Sequence, residues 1–482
     1  MKAGKYAFLA PAILFVYLFV SGLKIVNPLP LTYDAALHSE IAAYVVPNEL
    51  IPSTWEPLAD IGYTYPPLFH WIAFLFSFTG VETYKIVVLM GLFLYSMFPV
   101  AFYIYGSVFG RREAVLFSFF GAVQASLTEV FAAGEYPQLL SMALMPIVFY
   151  FVEKRDYLKS GMISGLVFLA HSFSGIYLVS MIFICFLFNF KEKKRIRAGQ
   201  MAVFFAAVLV ASSVWTPKYL QIINNAADQK WENTIWYYKA GFAGLDRIND
   251  IFFSFMPGAR MGLTFLLLSM IGVAHARKTK LNLQLLVFLF TVIFTIFHIP
   301  GTQYKFHDML AVATPPIAAF GAIRLSVETK KMNQTARGIL ACVIAALLIL
   351  NPYVNATNLR NCCVSKDTPD AAQFKLAEWL KNNDSRPGLV IADGDYEIWF
   401  ALVSGKYPVN PRISELEVFT NEYRQRLEDR KILAGLVAEG LDPSAVASKL
   451  GVHYLVTEKS VNSANFIVIR EENGTKLYKY YP

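Results

Sequence analysis

Charged residues are scarce in this sequence. Of its 482 residues only 16% are Asp, Glu, Lys or Arg, and 56% are hydrophobic, whereas soluble domains carry roughly 25% charged residues. This shortage argues against an ordinary soluble globular protein. It favours a protein that is largely embedded in a membrane.

Cysteine is scarcer still, with four residues. Cys185 and Cys342 lie inside apolar runs, where we expect them to serve as packing residues. Cys362 and Cys363 are adjacent, so a bond between them, or none, stays open. No CxxC or Cys/His spacing of a metal site occurs, which argues against a zinc–cysteine site.

The excess of basic residues, a net charge of +8, does not indicate a nucleic-acid-binding protein. The basic residues occur in short clusters between apolar runs, as in the cytoplasmic loops of membrane proteins. We therefore expect the lipid bilayer, and no nucleic acid, as a partner.

The apolar runs predict an α-helical polytopic membrane protein of about eleven transmembrane helices. The first run, Tyr6 to Val26, follows two lysines and lacks a clear cleavage site, so we interpret it as a retained helix with a cytoplasmic N-terminus. The run 66–79 is too short to cross alone and is expected to lie on the outer surface. The run 160–172 is also short and would cross only if other helices bury it.

The predicted organisation is a membrane domain, 1–352, with outer loops 27–83 and 216–258, and a soluble extracytoplasmic domain, 353–482. In the second domain, helical patterns over Asp370 to Lys381, Thr420 to Glu439 and Ser444 to Leu450 alternate with strand patterns. The strands are Leu389–Ala392, His453–Val456, and Phe466–Arg470 with Lys476–Tyr480 around an Asn473-Gly474 hairpin turn. This alternation predicts a small α/β domain.

Candidate functional residues begin in the first outer loop. Asp34 and His38 are four residues apart and would share a face of a helix, and Glu56 follows later in the loop. An acid just outside the first span is suited to act as a general base or a metal ligand. The alternative is that Asp34 is simply a helix N-cap.

Further polar residues occur at the outer ends of other spans. Tyr65 precedes a Pro66-Pro67 helix start, Glu135 lies in a tight turn, and His171 lies between two spans. Lys305, His307 and Asp308 share one short outer loop, where a lysine runs against the usual charge distribution. A phosphate ligand would explain that lysine; the alternative is a lysine that snorkels to the interface. Together these residues predict an active site at the outer membrane surface.

The order of motifs resembles the GT-C superfamily of membrane glycosyltransferases, which includes protein O-mannosyltransferases, aminoarabinose transferases of lipid A and oligosaccharyltransferases. The resemblance rests on three short motifs within residues 1–155: Tyr33-Asp34 after the first span, Tyr65-Pro66-Pro67-Leu68 at a helix start, and Phe102-Tyr103 through Val108-Phe109-Gly110-Arg111-Arg112-Glu113-Ala114.

The resemblance implies a GT-C-like fold and transfer of a sugar from a polyprenyl-phosphate donor on the non-cytoplasmic face. It implies Asp34 as the catalytic base; Lys305 is a positional assignment for binding the donor phosphate. Tyr65, His38, Glu56, His171, His307 and Asp308 would support the site or bind the acceptor. A divalent metal such as Mg, Mn or Zn would be held by His38 and Glu135.

Two departures from the GT-C pattern matter. Asp34 is followed by Ala35 where many members have a second acid. The stretch Asp393 to Trp399 resembles the WWDYG motif of oligosaccharyltransferases only in part, which argues against transfer to Asn-X-Ser/Thr sequons. The acceptor, whether protein, lipid or glycan, therefore stays open.

Two other function classes compete with the enzyme. A transporter or flippase of lipid-linked sugars would favour charged groups near the bilayer midplane and repeated halves, and neither pattern is found. A non-catalytic scaffold would make the acids of the outer loops dispensable. We therefore expect a glycosyltransferase of the cell envelope.

Overall fold

A computed structural model describes most of the chain, and helices dominate it. The described residues are 9–26, 34–56, 58–62, 65–191, 198–221, 241–242, 263–279, 282–298, 303–363, 370–392, 396–410 and 421–482.

The first part of the chain is a helical bundle that also contains two short pairs of strands. Its helices are α1 (Leu9–Ile25), α2 (Asp34–Glu40), α3 (Leu68–Ser77), α4 (Thr83–Gly106), α5 (Arg111–Ala122), α6 (Ala125–Ala132), α7 (Tyr136–Glu153), α8 (Tyr157–Ala170), α9 (Ser172–Lys191), α10 (Ala198–Ser212), α11 (Leu263–Thr279), α12 (Asn282–Ile296), α13 (Gln303–Glu328) and α14 (Gln334–Cys363). A π-helical turn, Ile41–Val45, extends α2. Two antiparallel pairs join β1 (Thr54–Trp55) to β2 (Ala59–Gly62) and β3 (Gly241–Phe242) to β4 (Phe297–His298).

Several of these helices have the length and composition of membrane spans. Within the described residues, Thr83–Gly106, Tyr136–Glu153 and Phe306–Lys331 meet both criteria, and α5 with α6 forms a fourth candidate that is bent by 46°. Eight further apolar helices of 10–17 residues occur in the part of the chain that the structure describes. The predicted polytopic α-helical fold is confirmed, and the total of about eleven crossings stays a prediction.

The two short runs of the sequence form short helices. Leu68–Ser77 has 10 residues, about 15 Å at the usual rise, which is about half of the hydrocarbon thickness. Tyr157–Ala170 has 14 residues and packs against α7, α9 and α10. Neither helix spans the bilayer alone at its own length.

Helices α11 and α13 approach each other closely. Gly272 lies against the carbonyl of Ile317, and Gly321 lies against the carbonyl of Leu268, so neither site has room for a side chain. Small residues of this kind let membrane helices pack backbone to backbone.

The C-terminal part is a small α/β unit, as predicted. Its elements are α15 (Ala371–Asn383), β5 (Leu389–Ala392), α16 (Glu397–Ser404), β6 (Tyr407–Pro408), α17 (Asn421–Glu439), α18 (Ser444–Leu450), β7 (Val452–Thr457), β8 (Phe466–Glu472) and β9 (Thr475–Tyr480). The five strands form one mixed sheet in the order β6-β5-β7-β9-β8. Strand β5 is parallel to β6 and β7, whereas β9 is antiparallel to β7 and β8.

Local signals explain these elements. Asp370 and Gln373 form a reciprocal capping box at the start of α15, which satisfies two backbone donors of the first turn. Asn473 and Gly474 have φ angles of 49° and 87°, the left-handed pair that a tight hairpin between β8 and β9 requires.

The predicted domain boundary after residue 352 falls within α14, and the first element of the sheet domain begins at Ala371.

Candidate active site

Helix α2 places the first candidate residues as their spacing predicts. Asp34 is its first residue and is half-buried, while every residue from Ala35 to Glu40 is buried. His38 follows Asp34 by one helical turn, so both lie on one face. The helix thus presents a carboxylate at its exposed end and fixes the histidine in the protein interior.

His38 is held by the start of α3. Its Nδ1 lies 3.2 Å from Nε2 of His70, and its ring lies 5.0 Å from the ring of Tyr65 in an edge-to-face arrangement. His70 is fully buried and was not among the predicted site residues. The Pro66-Pro67 helix start was the available signal, because it places His70 in the first turn of α3.

The turn between α6 and α7 packs directly on α2. Gly134 has φ +78°, and a Cβ at this position would lie 2.7 Å from the backbone nitrogen of Ala35. The turn therefore requires glycine twice, once for its backbone conformation and once for the close approach. Glu135, the next residue in the chain, is half-buried.

Helices α7 and α13 meet beside this turn. Nε2 of Gln138, in the first turn of α7, donates a hydrogen bond of 2.9 Å to Oδ2 of Asp308. Both side chains are buried, as is His307. The ring of Tyr136 lies 6.2 Å from that of Phe69, which links the start of α7 to the start of α3.

The predicted residues therefore comprise one main group of six, two outliers, and Lys305, for which only the position in its helix is described. Six of them lie in the first two turns of α2, α7 or α13, or just before α3 or α7: Asp34, His38, Tyr65, Glu135, His307 and Asp308. His171 ends α8 and its Nδ1 lies 2.8 Å from Oγ of Ser174, which is a local structural contact. Glu56 is exposed beside the short strand β1. Lys305 occupies the first turn of α13, and its side chain lies outside the described residues.

The described side chains do not by themselves form a metal site. Within the described ranges, no group of three His, Cys, Asp or Glu side chains converges as metal ligands. His38 instead contacts His70. The assignment of His38 and Glu135 as metal ligands therefore stays a prediction.

The C-terminal domain packs on the segment between α1 and α3 that carries Asp34. Helix α16 packs against α2, the ring of Tyr407 lies 5.2 Å from that of Tyr44, and Nη1 of Arg426 donates to the carbonyl oxygen of Leu58 at 3.4 Å. These contacts hold the sheet domain on the same loop that carries Asp34.

An ion pair at the start of α4 adds to this contact. Lys381 of α15 pairs with Glu82, which also pairs with Lys85. Partial burial alone would raise the pKa of Glu82, but the hydrogen bonds from Lys381 and Lys85 lower it to about 2. Glu82 is therefore charged throughout the physiological pH range.

Two buried carboxyl groups meet at the contact between α2 and α16. Glu40 is fully buried, and none of the described residues donates a hydrogen bond to its carboxylate oxygens. Burial, and then the charge of Glu397, raise the pKa of Glu40 well above its usual value. Glu397 itself is bound at 2.9 Å by Arg430 and at 2.7 Å by the backbone nitrogen of Asn410.

Several solved structures of similar fold are GT-C glycosyltransferases. ArnT from Cupriavidus metallidurans, bound to undecaprenyl phosphate, matches with a TM-score of 0.60 and 13% identity over 99% of this chain and 98% of that one. The Archaeoglobus fulgidus oligosaccharyltransferase, tethered to an acceptor peptide with an NVT sequon, matches with a TM-score of 0.53 and 12% identity over 93% and 69%.

A third structure, the arabinofuranosyltransferase AftD from Mycobacteria, gives a TM-score of 0.58 and 12% identity. It covers 99% of this chain, which spans only 40% of the AftD chain. The chain thus has the GT-C fold that its motifs resembled, and identities this low establish the fold alone.

Comparison of the sequence with curated proteins finds no match. A sequence model of the 6-pyruvoyl-tetrahydropterin synthase related domain, described as a membrane protein, matches residues 63–359. This match covers more than half of the 482 residues and includes α3 to α13. The chain therefore belongs to the family of membrane proteins with a 6-pyruvoyl-tetrahydropterin synthase related domain.

Proposed function

We propose that the chain is a membrane glycosyltransferase that moves a sugar from a polyprenyl-phosphate donor to an acceptor on the non-cytoplasmic face. The observation that carries the proposal is the set of contacts that joins the N-terminal parts of α2, α3, α7 and α13 to one another near Asp34. The GT-C fold supports it, as does the undecaprenyl phosphate bound by ArnT from Cupriavidus metallidurans.

Asp34 is the proposed general base. It is half-buried at the start of α2, while its helix is fixed by His38 against His70 and by the Gly134 turn. A carboxylate in such a place is accessible to an acceptor and is held by a rigid surrounding. It would take the proton of the acceptor hydroxyl as the acceptor oxygen bonds to the anomeric carbon.

The leaving group is polyprenyl phosphate, released as the bond between the anomeric carbon and the phosphate oxygen breaks. Lys305 lies in the first turn of α13, so its charge adds to the positive end of that helix. The start of α7 lies beside it through Gln138 and Asp308. Positive helix ends of this kind stabilise phosphate, which would offset the charge that develops on the leaving group.

The orientation of the site follows from the same proposal. The basic ends of the helices, at Arg111-Arg112 and Lys154-Arg155, lie at the opposite end of the bundle from Gly134. With those ends in the cytoplasm, Asp34 and the sheet domain face outward, and the chain is a multi-pass protein of the cell membrane.

The test is release of polyprenyl phosphate from short-chain polyprenyl-phosphate sugars by the purified protein in liposomes. Asp34→Asn should reduce release by about 10²–10⁴-fold, the usual contribution of general base catalysis. Glu49→Gln is the matched control, because Glu49 is an exposed carboxylate of the same loop. Retained release in Asp34→Asn would remove Asp34 from the mechanism.

Two further outcomes of this assay test the alternative function as a transporter and the predicted metal site. Tight binding of the same lipids without release from any donor would support a transporter instead. If EDTA abolishes release and Mg²⁺ or Mn²⁺ restores it, the reaction requires a metal. If Mg²⁺ or Mn²⁺ then fails to restore release in His38→Ala or Glu135→Gln, these residues are the metal ligands.

A further inference from the structure

A second candidate ligand site lies at the opposite end of the bundle from Asp34. Helices α5, α11, α13 and α14 enclose a crevice of about 230 Å³. Its walls are apolar and include Leu116, Phe120, Leu268, Ala341, Ile344 and Leu348. Its polar residues are Ser326, Thr329 and Arg337.

The polar residues of the crevice all lie at its basic end. Ser326 lies in the last turn of α13 and Thr329 is the first residue after that helix, while Arg337 lies in the first turn of α14. Nη2 of Arg112 donates to Oγ of Ser326 at 2.5 Å, which fixes a second guanidinium at the mouth. Lys330 and Lys331 are exposed in the turn between the two helices.

Among the described residues, no acid forms an ion pair with either guanidinium group at the mouth. The nearby Glu328 pairs with Arg324. None of the ion pairs between described residues includes Arg112 or Arg337. Arg112 and Arg337 are both exposed. The mouth of the crevice therefore complements an anion.

The length of the crevice fits one leaflet of a bilayer. From Arg337 to Leu348 the helix rises about 16 Å at about 1.5 Å per residue. The hydrocarbon core is about 30 Å thick, so the crevice extends from the headgroup level to near the midplane. Its occupant has to combine an anionic head with a hydrocarbon chain about one leaflet long.

We propose that this crevice binds an anionic phospholipid, with one acyl chain against α5 and α14 and its phosphate between Arg112 and Arg337. This site is separate from the proposed sugar-transfer site, so it does not rest on that function. Each basic residue near an anionic membrane surface strengthens binding about fivefold, and two guanidinium groups at one mouth give a preference for anionic over zwitterionic lipid.

The experiment is native mass spectrometry of the full chain with equal amounts of phosphatidylglycerol and phosphatidylcholine that carry the same acyl chains. The wild type should retain phosphatidylglycerol in preference, and Arg337→Gln should lower its retention about fivefold. Lys154→Gln is the matched control, because Lys154 is an exposed cation at the same end of the bundle and does not line the crevice.

A second variant tests the apolar part. Ala345 lines the crevice and is partly buried, so Ala345→Phe should fill it and lower retention of phosphatidylglycerol without a change in charge. Melting temperatures of all variants would confirm that they fold. Equal retention of both lipids by the wild type, or equal losses in Arg337→Gln and Lys154→Gln, would overturn the proposal. So would displacement of phosphatidylglycerol by polyprenyl phosphate with the same dependence on Arg337, since the occupant would then be the carrier lipid.

Discussion

Gln138 and Asp308, 170 residues apart in the sequence, are joined by a buried hydrogen bond of 2.9 Å from Nε2 to Oδ2. This bond ties the first turn of α7 to the second turn of α13. Glu135 immediately precedes α7, and Lys305 lies one turn before Asp308. The bond therefore sets the position of two candidate site residues relative to each other.

Removal of this acceptor should destabilise the protein. Asp308→Ala leaves the amide of Gln138 buried without its partner, which costs about 1–3 kcal/mol. Asp308→Asn keeps an acceptor oxygen at the same position and should cost less. The free energy of unfolding, measured by denaturant titration in mixed micelles, distinguishes the two variants. Equal stability of Asp308→Ala and the wild type would show that the bond does not hold α7 and α13 together.

The Gly134 turn offers a test of the site geometry. Gly134→Ala forces a Cβ against the backbone of Ala35, which should displace α2 and with it Asp34. A displacement of about 1 Å at a catalytic group can cost about 10²-fold in rate. The measurement is the rate of polyprenyl-phosphate release at saturating donor.

Gly80→Ala is the control for this variant. Gly80 has φ +79°, almost the same as Gly134, but no atom lies within 4 Å of the position of its Cβ. Both variants therefore carry the same backbone strain, and only Gly134→Ala adds the clash with α2. Equal rates in the two variants would show that the approach of the turn to α2 does not position the site.

Local sequence signals predicted the sheet domain closely. The strand Leu389–Ala392 and the helix Ser444–Leu450 have the predicted bounds. The hairpin forms around Asn473-Gly474 as expected. Capping residues, alternation and turn residues act over a few positions, so a single sequence contains what these elements require.

The candidate site was predicted only in part, for a physical reason. The spacing of Asp34 and His38 is local, and the structure places both on α2. The partners of these groups are not local: His70 faces His38, and Gln138 binds Asp308. Such pairs depend on how helices pack, which the periodicity of one sequence does not specify.

Glu40 is a third group that the sequence did not single out, and it makes stability depend on pH. Its pKa is raised by burial and by Glu397, while the unfolded chain has the ordinary value of about 4.5. Because the pKa of Glu40 is higher in the folded chain than in the unfolded chain, protonated Glu40 contributes stability that is fully present below about pH 4.5. It is lost as pH rises through the folded value, because the carboxyl group must then lose its proton in the interior.

Glu40→Gln removes this titration and should therefore be more stable than the wild type at pH 7.5. The advantage should shrink as the pH falls toward 4.5. Melting temperatures at a series of pH values measure the effect, with Glu56→Gln, an exposed carboxylate of the same loop, as the control. A difference between Glu40→Gln and wild type that does not change with pH would contradict the prediction.

The contact of α11 with α13 predicts a strict limit on side-chain size. Gly321 lies against the backbone carbonyl of Leu268, and a backbone group cannot rotate away as a side chain can. Gly321→Ala should therefore separate the two helices and destabilise the bundle by about 1–3 kcal/mol. Because α13 also carries Lys305, His307 and Asp308, the separation should lower the transfer rate as well.

Gly338→Ala isolates this packing effect, since Gly338 lies within α14 and has open space where a Cβ would be. Alanine favours helix over glycine by about 1 kcal/mol, so this variant should be as stable as the wild type or more stable. Thermal unfolding in one detergent compares the two. If Gly321→Ala also gained stability, helix propensity would outweigh packing at this contact, and the close approach of α11 and α13 would not limit the bundle.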